Sequence, residues 1–205
     1  MASRERPASS PRIFESSALE RLTRAHPAVP VAVFVPVIAG LAALGVERLP
    51  PTSAIAIALA GYLVWTLAEY WLHRALFHLE PARGIGARLH WLIHGVHHDH
   101  PEDRARLVMP PAASVPLALS FFALFVSTLG ATAAMPFTAG FLVGYLAYDL
   151  THFHLHHGRP RTRLGRRLRE QHMRHHFEDD TRGFGVSVPW WDVVFGTAPR
   201  LRPRR

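Results

Sequence analysis

The chain has 205 residues, enough for one domain, with 49% hydrophobic and 19% charged residues and a formal charge of +8. All 23 basic residues are arginine and there is no cysteine, which excludes disulfides, thiolate-held metals, iron–sulfur ligation and a cysteine nucleophile. The arginines flank long apolar runs and do not interleave with aromatic residues, a pattern of membrane topology that argues against nucleic-acid binding.

Residues 1–26 are polar, contain Pro7, Ser9, Ser10 and Pro11, and read as a lead-in with a short interfacial helix near Ile13–Leu22. Pro27 to Val46 carries no charge and is long enough to cross a hydrocarbon core of about 30 Å. Pro30, Pro36 and the trailing Glu47-Arg48 fit a span better than a cleaved signal peptide. A second apolar run, about 50–72, leads into the first of four histidine clusters. Leu107 to Tyr148 has no charged residue, and as one helix it would be about 63 Å long, twice the membrane thickness. It must fold back, and the small, Gly- and Pro-containing stretch from Leu129 through Gly130 to Pro136 supplies a turn between spans at about 112–130 and 136–153.

The expected fold is therefore all-α and integral to the membrane, with 27–205 as one domain whose four transmembrane helices form two hairpins. Arginine is dense at the N-terminus, in 74–106 and in 159–205, and sparse in the connections at 45–53 and 129–136. The positive-inside rule then puts both termini, and a helical cap made of 73–111 and 154–205, in the cytoplasm.

The histidine clusters read His73-x4-His78, His94-x2-His97-His98, His152-x3-His156-His157 and His172-x2-His175-His176. Neutral imidazole is the commonest protein ligand for transition metals. On a helix, i, i+3 and i+4 share a face, so each of the 94/97/98 and 172/175/176 trios presents three imidazoles together, two of them able to serve neighbouring ions. His152 and His156 lie one turn apart. The i, i+5 pair His73 and His78 does not align on an ideal helix, so the helix must end, unwind or carry a π-bulge there. A histidine-rich storage tract is the bland alternative, but such tracts are confined to one segment, whereas these clusters recur at helical spacing in two topologically matched places. First-row metals take four to six ligands, so this many imidazoles imply two ions. His26 and His100 read as polar side chains facing headgroups. His90 could join the face of His94 or support it, and His154 and His157 point off the 152/156 face.

Glu69-Tyr70-Trp71-Leu72-His73-Arg74-x-x-Phe77-His78 followed by His94-Gly95-x-His97-His98 resembles the fatty acid hydroxylase/sterol desaturase superfamily of membrane di-iron enzymes. Arg106 to Pro111, Gly144-Tyr145-x-x-Tyr148-Asp149-x-x-His152, Phe184-Gly185-Val186 and Trp191-Asp192-x-x-Phe195-Gly196-Thr197 bring the resemblance closest to fatty acid 2-hydroxylases, over about residues 60–197. It implies a four-helix membrane bundle under cytosolic helices. The implied ligands are His73, His78, His94, His97, His98, His152, His156, His172, His175 and His176. The implied reaction inserts one atom of O2 into the C2–H bond of a long acyl chain drawn from the bilayer. Two iron ions would serve it, with zinc able to replace iron on purification, and a cytochrome b5-type protein would supply electrons. Residues 1–26 are too short for an attached cytochrome b5, so the expected donor is a separate cytochrome, ferredoxin or reductase; the arginine-rich 159–174 face reads either as its docking surface or as positive-inside topology facing anionic headgroups. The expected location is a bacterial inner membrane.

Ligand imidazoles usually donate their second nitrogen to a carboxylate or carbonyl. Glu69, Asp149, Asp192, His90 and His157 are the candidates for such support, with pairing of Glu69 or Asp149 to Arg74 or Arg106 as the alternative. Trp71, Trp91, Trp190 and Trp191 read as an interfacial belt, and Tyr145 and Tyr148 as helix packing. The rival functions are a hydroxylase or desaturase of sterols, carotenoids or other lipids, and a non-enzymatic membrane metal-binding protein. The nearly apolar span interiors count against a conduit.

Overall fold

In a computed structural model describing residues 10–78 and 83–200, the described regular structure is entirely helical. The α-helices run α1 (Ser17–Leu22), α2 (Ala28–Arg48), α3 (Pro51–Trp71), α4 (Gly84–His90), α5 (Val96–Asp99), α6 (Pro111–His157), α7 (Arg163–Phe177) and α8 (Trp190–Val194). The chain divides into two compact units: Arg12–Leu67 with Val108–Leu150, and Ala68–Leu107 with Thr151 onward and Ser10–Pro11.

Among the described residues, three segments are long and apolar enough to cross a membrane: Ala28–Arg48, Pro51–Phe77 and Arg104–His157. The third is not straight. At Gly130 the backbone takes φ 74 and ψ 157, a left-handed conformation that glycine adopts at little cost and that breaks α6 into two halves. Phe125 then meets Phe137 at 4.7 Å between ring centroids and Phe141 at 5.1 Å. In a straight helix those pairs would stand about 18 and 24 Å apart, so the halves fold back on each other. The reversal is tighter than the 129–136 turn expected from composition. Met135 and Pro136 are already helical, and Pro136 packs against Gly45 of α2.

Small residues bring α3 and the second half of α6 together. A Cβ added at Gly140 would lie 1.8 Å from the Ala58 carbonyl oxygen, and one at Gly61 would lie 2.0 Å from that of Phe137. The helices thus cross backbone to backbone, the usual way to gain packing where apolar burial drives little association. Beyond the crossing, Trp65 wedges against Phe141 at 5.0 Å and Tyr145 at 5.5 Å, with Phe34 on Tyr145 at 5.1 Å. Tyr145 and Tyr148 are buried here, as helix packing requires. Outward, Ile55, Leu59 and Leu119 are each about 60% exposed, a surface suited to hydrocarbon.

The lead-in contributes the short helix α1, with Ser16 as its N-cap. Just before it, the backbone N–H and hydroxyl of Ser10 both donate to Asp103, at 2.9 and 2.6 Å. In the same unit, two π-helical turns, Leu72–Phe77 and Trp91–Gly95, follow α3 and α4. The first is closed by His78 N–H donating to His73 C=O at 3.1 Å. An i→i+5 bond widens the turn and puts residues five apart on one side, which resolves the misalignment of His73 and His78.

Candidate metal centre

The unit that begins again at Ala68 carries all the clustered histidines. The structure gathers ten of them into two groups of five. His73, His78, His94, His98 and His175 form one, and His97, His152, His156, His172 and His176 the other; within each, one nitrogen per residue lies within 4.8 Å of the rest. The helical spacing explains the partition. Each H-x2-H-H box sends its i, i+4 pair to one group and its middle histidine to the other. His94 and His98 thus meet His175 of α7, while His172 and His176 meet His97 of α5. The i, i+4 pair on α6 completes the second group and the π-turn pair completes the first.

The nitrogens face one another. His94 Nε2 lies 3.2 Å from His73 Nε2 and 3.0 Å from His98 Nε2. In the other group, His172 Nε2 lies 2.8 Å from His156 Nε2 and 3.1 Å from His176 Nε2, and His97 Nε2 is 3.1 Å from His176 Nε2. Two nitrogens bound at right angles about 2.1 Å from one ion would be about 3.0 Å apart, so these spacings suit a shared cation. His73 Nδ1 donates to the Phe184 carbonyl and His175 Nδ1 to the Arg182 carbonyl, each at 2.7 Å, which leaves only lone pairs on their Nε2 atoms. Nε2 of His175 and Nε2 of His78 are buried with no protein partner. A ring of lone pairs converging in a buried space is the donor set a divalent metal completes, and with no thiolate in reach the set suits iron, zinc or copper.

Electrostatics keep the imidazoles neutral, the state a ligand needs. Burial, then the mutual repulsion of neighbouring imidazoles, holds His94, His97 and His172 well below the ordinary histidine range. The same causes push His98 down to about 2 and His78 to about 3. The two groups adjoin: the His98 and His176 rings stack with centroids 4.2 Å apart. The first group also borders a cavity of about 380 Å³, walled by Phe77, His90 and Trp91 beside His78, His94 and His98.

The other candidates occupy different places. His90 Nε2 lies 2.5 Å from the Phe77 carbonyl and so braces the π-turn between His73 and His78. His157 packs on Phe153 at 5.0 Å and belongs to neither group. Glu69 and Asp192 are buried, but they accept from backbone and hydroxyl groups of 184–197 and touch no imidazole directly. Asp149 accepts from Met109 N–H at 3.2 Å and from the Tyr145 hydroxyl at 3.4 Å. Of the arginines offered as alternative partners, Arg74 donates to the Tyr70 hydroxyl at 2.8 Å and Arg106 sits beside Asp103. Trp91, placed in the interfacial belt by composition, donates to Asp99 at 2.8 Å. His26 and His154 are exposed, apart from the groups.

The carbonyls of Arg182 and Phe184 escaped notice in the sequence because every residue has one. The only signal was the string Phe184-Gly185-Val186, which carries no side chain of obvious chemistry.

A family model described as fatty acid hydroxylase matches residues 58–197. A dihydroceramide fatty acyl 2-hydroxylase of Arabidopsis thaliana is 38% identical over 194 residues, covering 94% of this chain and 81% of its own. The ceramide very long chain fatty acid hydroxylase of Saccharomyces cerevisiae is 40% identical, over 87% of this chain and 47% of its own length. A solved structure of full-length scs7p, in which only the hydroxylase domain is visible, superposes with a TM-score of 0.88 at 37% identity, covering 94% of this chain and 73% of that one.

Proposed function

Because this chain belongs to the fatty acid hydroxylase family, an enzyme family of lipid oxidation, we propose that it is a membrane di-iron enzyme hydroxylating C2 of a long acyl chain. The observation that carries the reading is the pair of five-imidazole groups, each with the spacing and the neutral donor set of a metal centre. His73, His78, His94, His98 and His175 would hold one ion, and His97, His152, His156, His172 and His176 the other. When bound, the two ions supply O2 activation. Overall, one oxygen atom enters the C–H bond and the other leaves as water, with two electrons and two protons from a separate donor.

The chain's own residues do the rest. Buried imidazoles stay unprotonated and fix the ligand geometry. Backbone carbonyls at 182 and 184 hold His175 and His73 with Nε2 turned inward. The cavity beside the first group, lined by Phe77 and Trp91 together with Asp99 and Asp180, receives the acyl carbon next to the carbonyl. Four spans, from α2, α3 and the two halves of α6, cross the bilayer, with both termini and the imidazoles on the cytoplasmic side of a bacterial inner membrane. Arg163, Arg166 and Arg167, exposed on α7, would receive an acidic electron donor.

Lipid mass spectrometry of cells expressing the protein tests this directly. The 2-hydroxy acyl chains should accumulate with the intact protein and not with His97→Ala. Unchanged acyl chains alongside altered sterols or carotenoids would overturn the assignment.

A further inference from the structure

Glu69 and Asp192 are buried carboxylates, and Asp192 lies within electrostatic reach of His175, yet their hydrogen bonds go to other groups. Their contacts converge on a single strap, residues 182–197. Asp192, in α8 and 1% exposed, accepts from Phe184 N–H at 2.9 Å through one oxygen and from Gly185 N–H at 2.8 Å through the other. It also accepts from the Thr197 hydroxyl at 2.8 Å, while its own carbonyl takes Thr197 N–H at 2.7 Å. Thr197 C=O in turn accepts Gly183 N–H at 2.9 Å, which closes the strap into a loop. A relay leads in from α3: Arg74 donates to the Tyr70 hydroxyl at 2.8 Å, and that hydroxyl meets Thr197 Oγ1 at 2.9 Å. Glu69 holds the next segment through Ser187 N–H at 2.7 Å and the Ser187 hydroxyl.

The strap's two inward carbonyls, Arg182 and Phe184, are the acceptors for Nδ1 of His175 and His73. Both imidazoles belong to the same five-membered group. A hydrogen bond on Nδ1 fixes both the tautomer and the ring direction of a metal-binding histidine, and losing such a partner typically costs 10–100-fold in metal affinity. Here the carboxylate acts at one remove, through the peptide units it immobilises.

We infer that Asp192 is a positioning residue for one metal site alone: it holds the 182–184 backbone so that His73 and His175 turn Nε2 toward the first group, and it leaves the second group untouched. This rests on the dinuclear reading above.

The test is chelator challenge of metal-loaded protein purified in detergent, following each ion's release. Wild type should carry two ions per chain. In Asp192→Asn one ion should leave roughly 10–100-fold faster while the other keeps its rate. A general loosening of the fold would instead speed both. The second arm adds Asp192→Asn to His175→Ala, which has already lost the first site. The remaining ion should then be released no faster than in His175→Ala alone, because the two changes act on one site. Equal acceleration of both ions, or a faster remaining ion in the double variant, overturns the assignment. So does release at wild-type rates from Asp192→Asn. If Asp192→Asn does not fold, Thr197→Val removes one of the carboxylate's donors and is read the same way: selective acceleration supports the inference and unchanged rates overturn it. A wild type that never holds two ions would defeat the dinuclear reading itself, a distinct outcome.

Discussion

In the group around His94, two imidazoles lean on backbone carbonyls at 2.7 Å and three border a cavity. In the group around His172, the Nδ1 atoms of His97, His172 and His176 are buried with no protein partner, and the rings are fixed by α5, α6, α7 and one another. The donors are the same imidazole in both, so any difference in metal behaviour must come from what stands behind the ring. One site leans on a strap that side-chain changes can loosen. The other draws its imidazoles from α5, α6 and α7.

Replacing a ligand gives the largest effect and tests the partition itself. His175→Ala and His172→Ala should each lower hydroxylation by more than the 10–100-fold typical of losing an outer partner, and each should reduce metal content from two ions per chain to about one. Loss of both ions from either variant would show that the groups do not fill independently.

Acidification comes next. The imidazoles of His98 and His78 resist protonation down to about 2 and about 3, against 6.5 for an unperturbed histidine. Their folded-state values are depressed, so below 6.5 the unfolded chain takes up protons that the folded one refuses. The stability these imidazoles contribute is therefore lost as pH falls below 6.5 and is flat above it. Thermal unfolding of metal-free protein should show a midpoint that declines from pH 6.5 toward 4. A midpoint that rises on acidification would contradict neutral burial.

A smaller change sharpens the contrast between the sites. Glu69→Gln keeps one acceptor for Ser187 and loosens the strap farther from the carbonyls, so chelator release from the first site should quicken by about tenfold at most. Equal quickening of both ions would deny the strap its selectivity. Smallest of all, His154→Ala alters an exposed side chain outside both groups, and its stability should stay within about 0.5 kcal/mol of wild type with both ions retained.

Much of the metal centre was legible because helical geometry ties spacing to direction. The i, i+4 pairs 94/98, 152/156 and 172/176 each stayed together, and the awkward His73–His78 spacing called for a helix end, an unwinding or a π-bulge, of which the π-turn is the one that forms. That the middle histidine of each box crosses to the other group was only half legible, since it depends on which helix faces which. The orienting contacts were not legible. Glu69 and Asp192 stood out as carboxylates able to orient a ligand, but their targets are backbone and hydroxyl groups that sequence does not distinguish. Asp149 looked equivalent by the same reasoning and serves the Met109 backbone and Tyr145 instead. In the apolar unit, the fold-back was forced by span length, while its position at Gly130 depended on one dihedral. The spacing of Gly140 and Gly144 was a usable sign of a close helix crossing, and it passed unread among many small residues.

Metal content of the purified protein, measured per chain by elemental mass spectrometry, tests the two-site account most directly. Two ions are expected, with one lost in His175→Ala, a different one lost in His172→Ala, and neither retained when both are changed. A single ion in wild type, or a variable content indifferent to those substitutions, would contradict it.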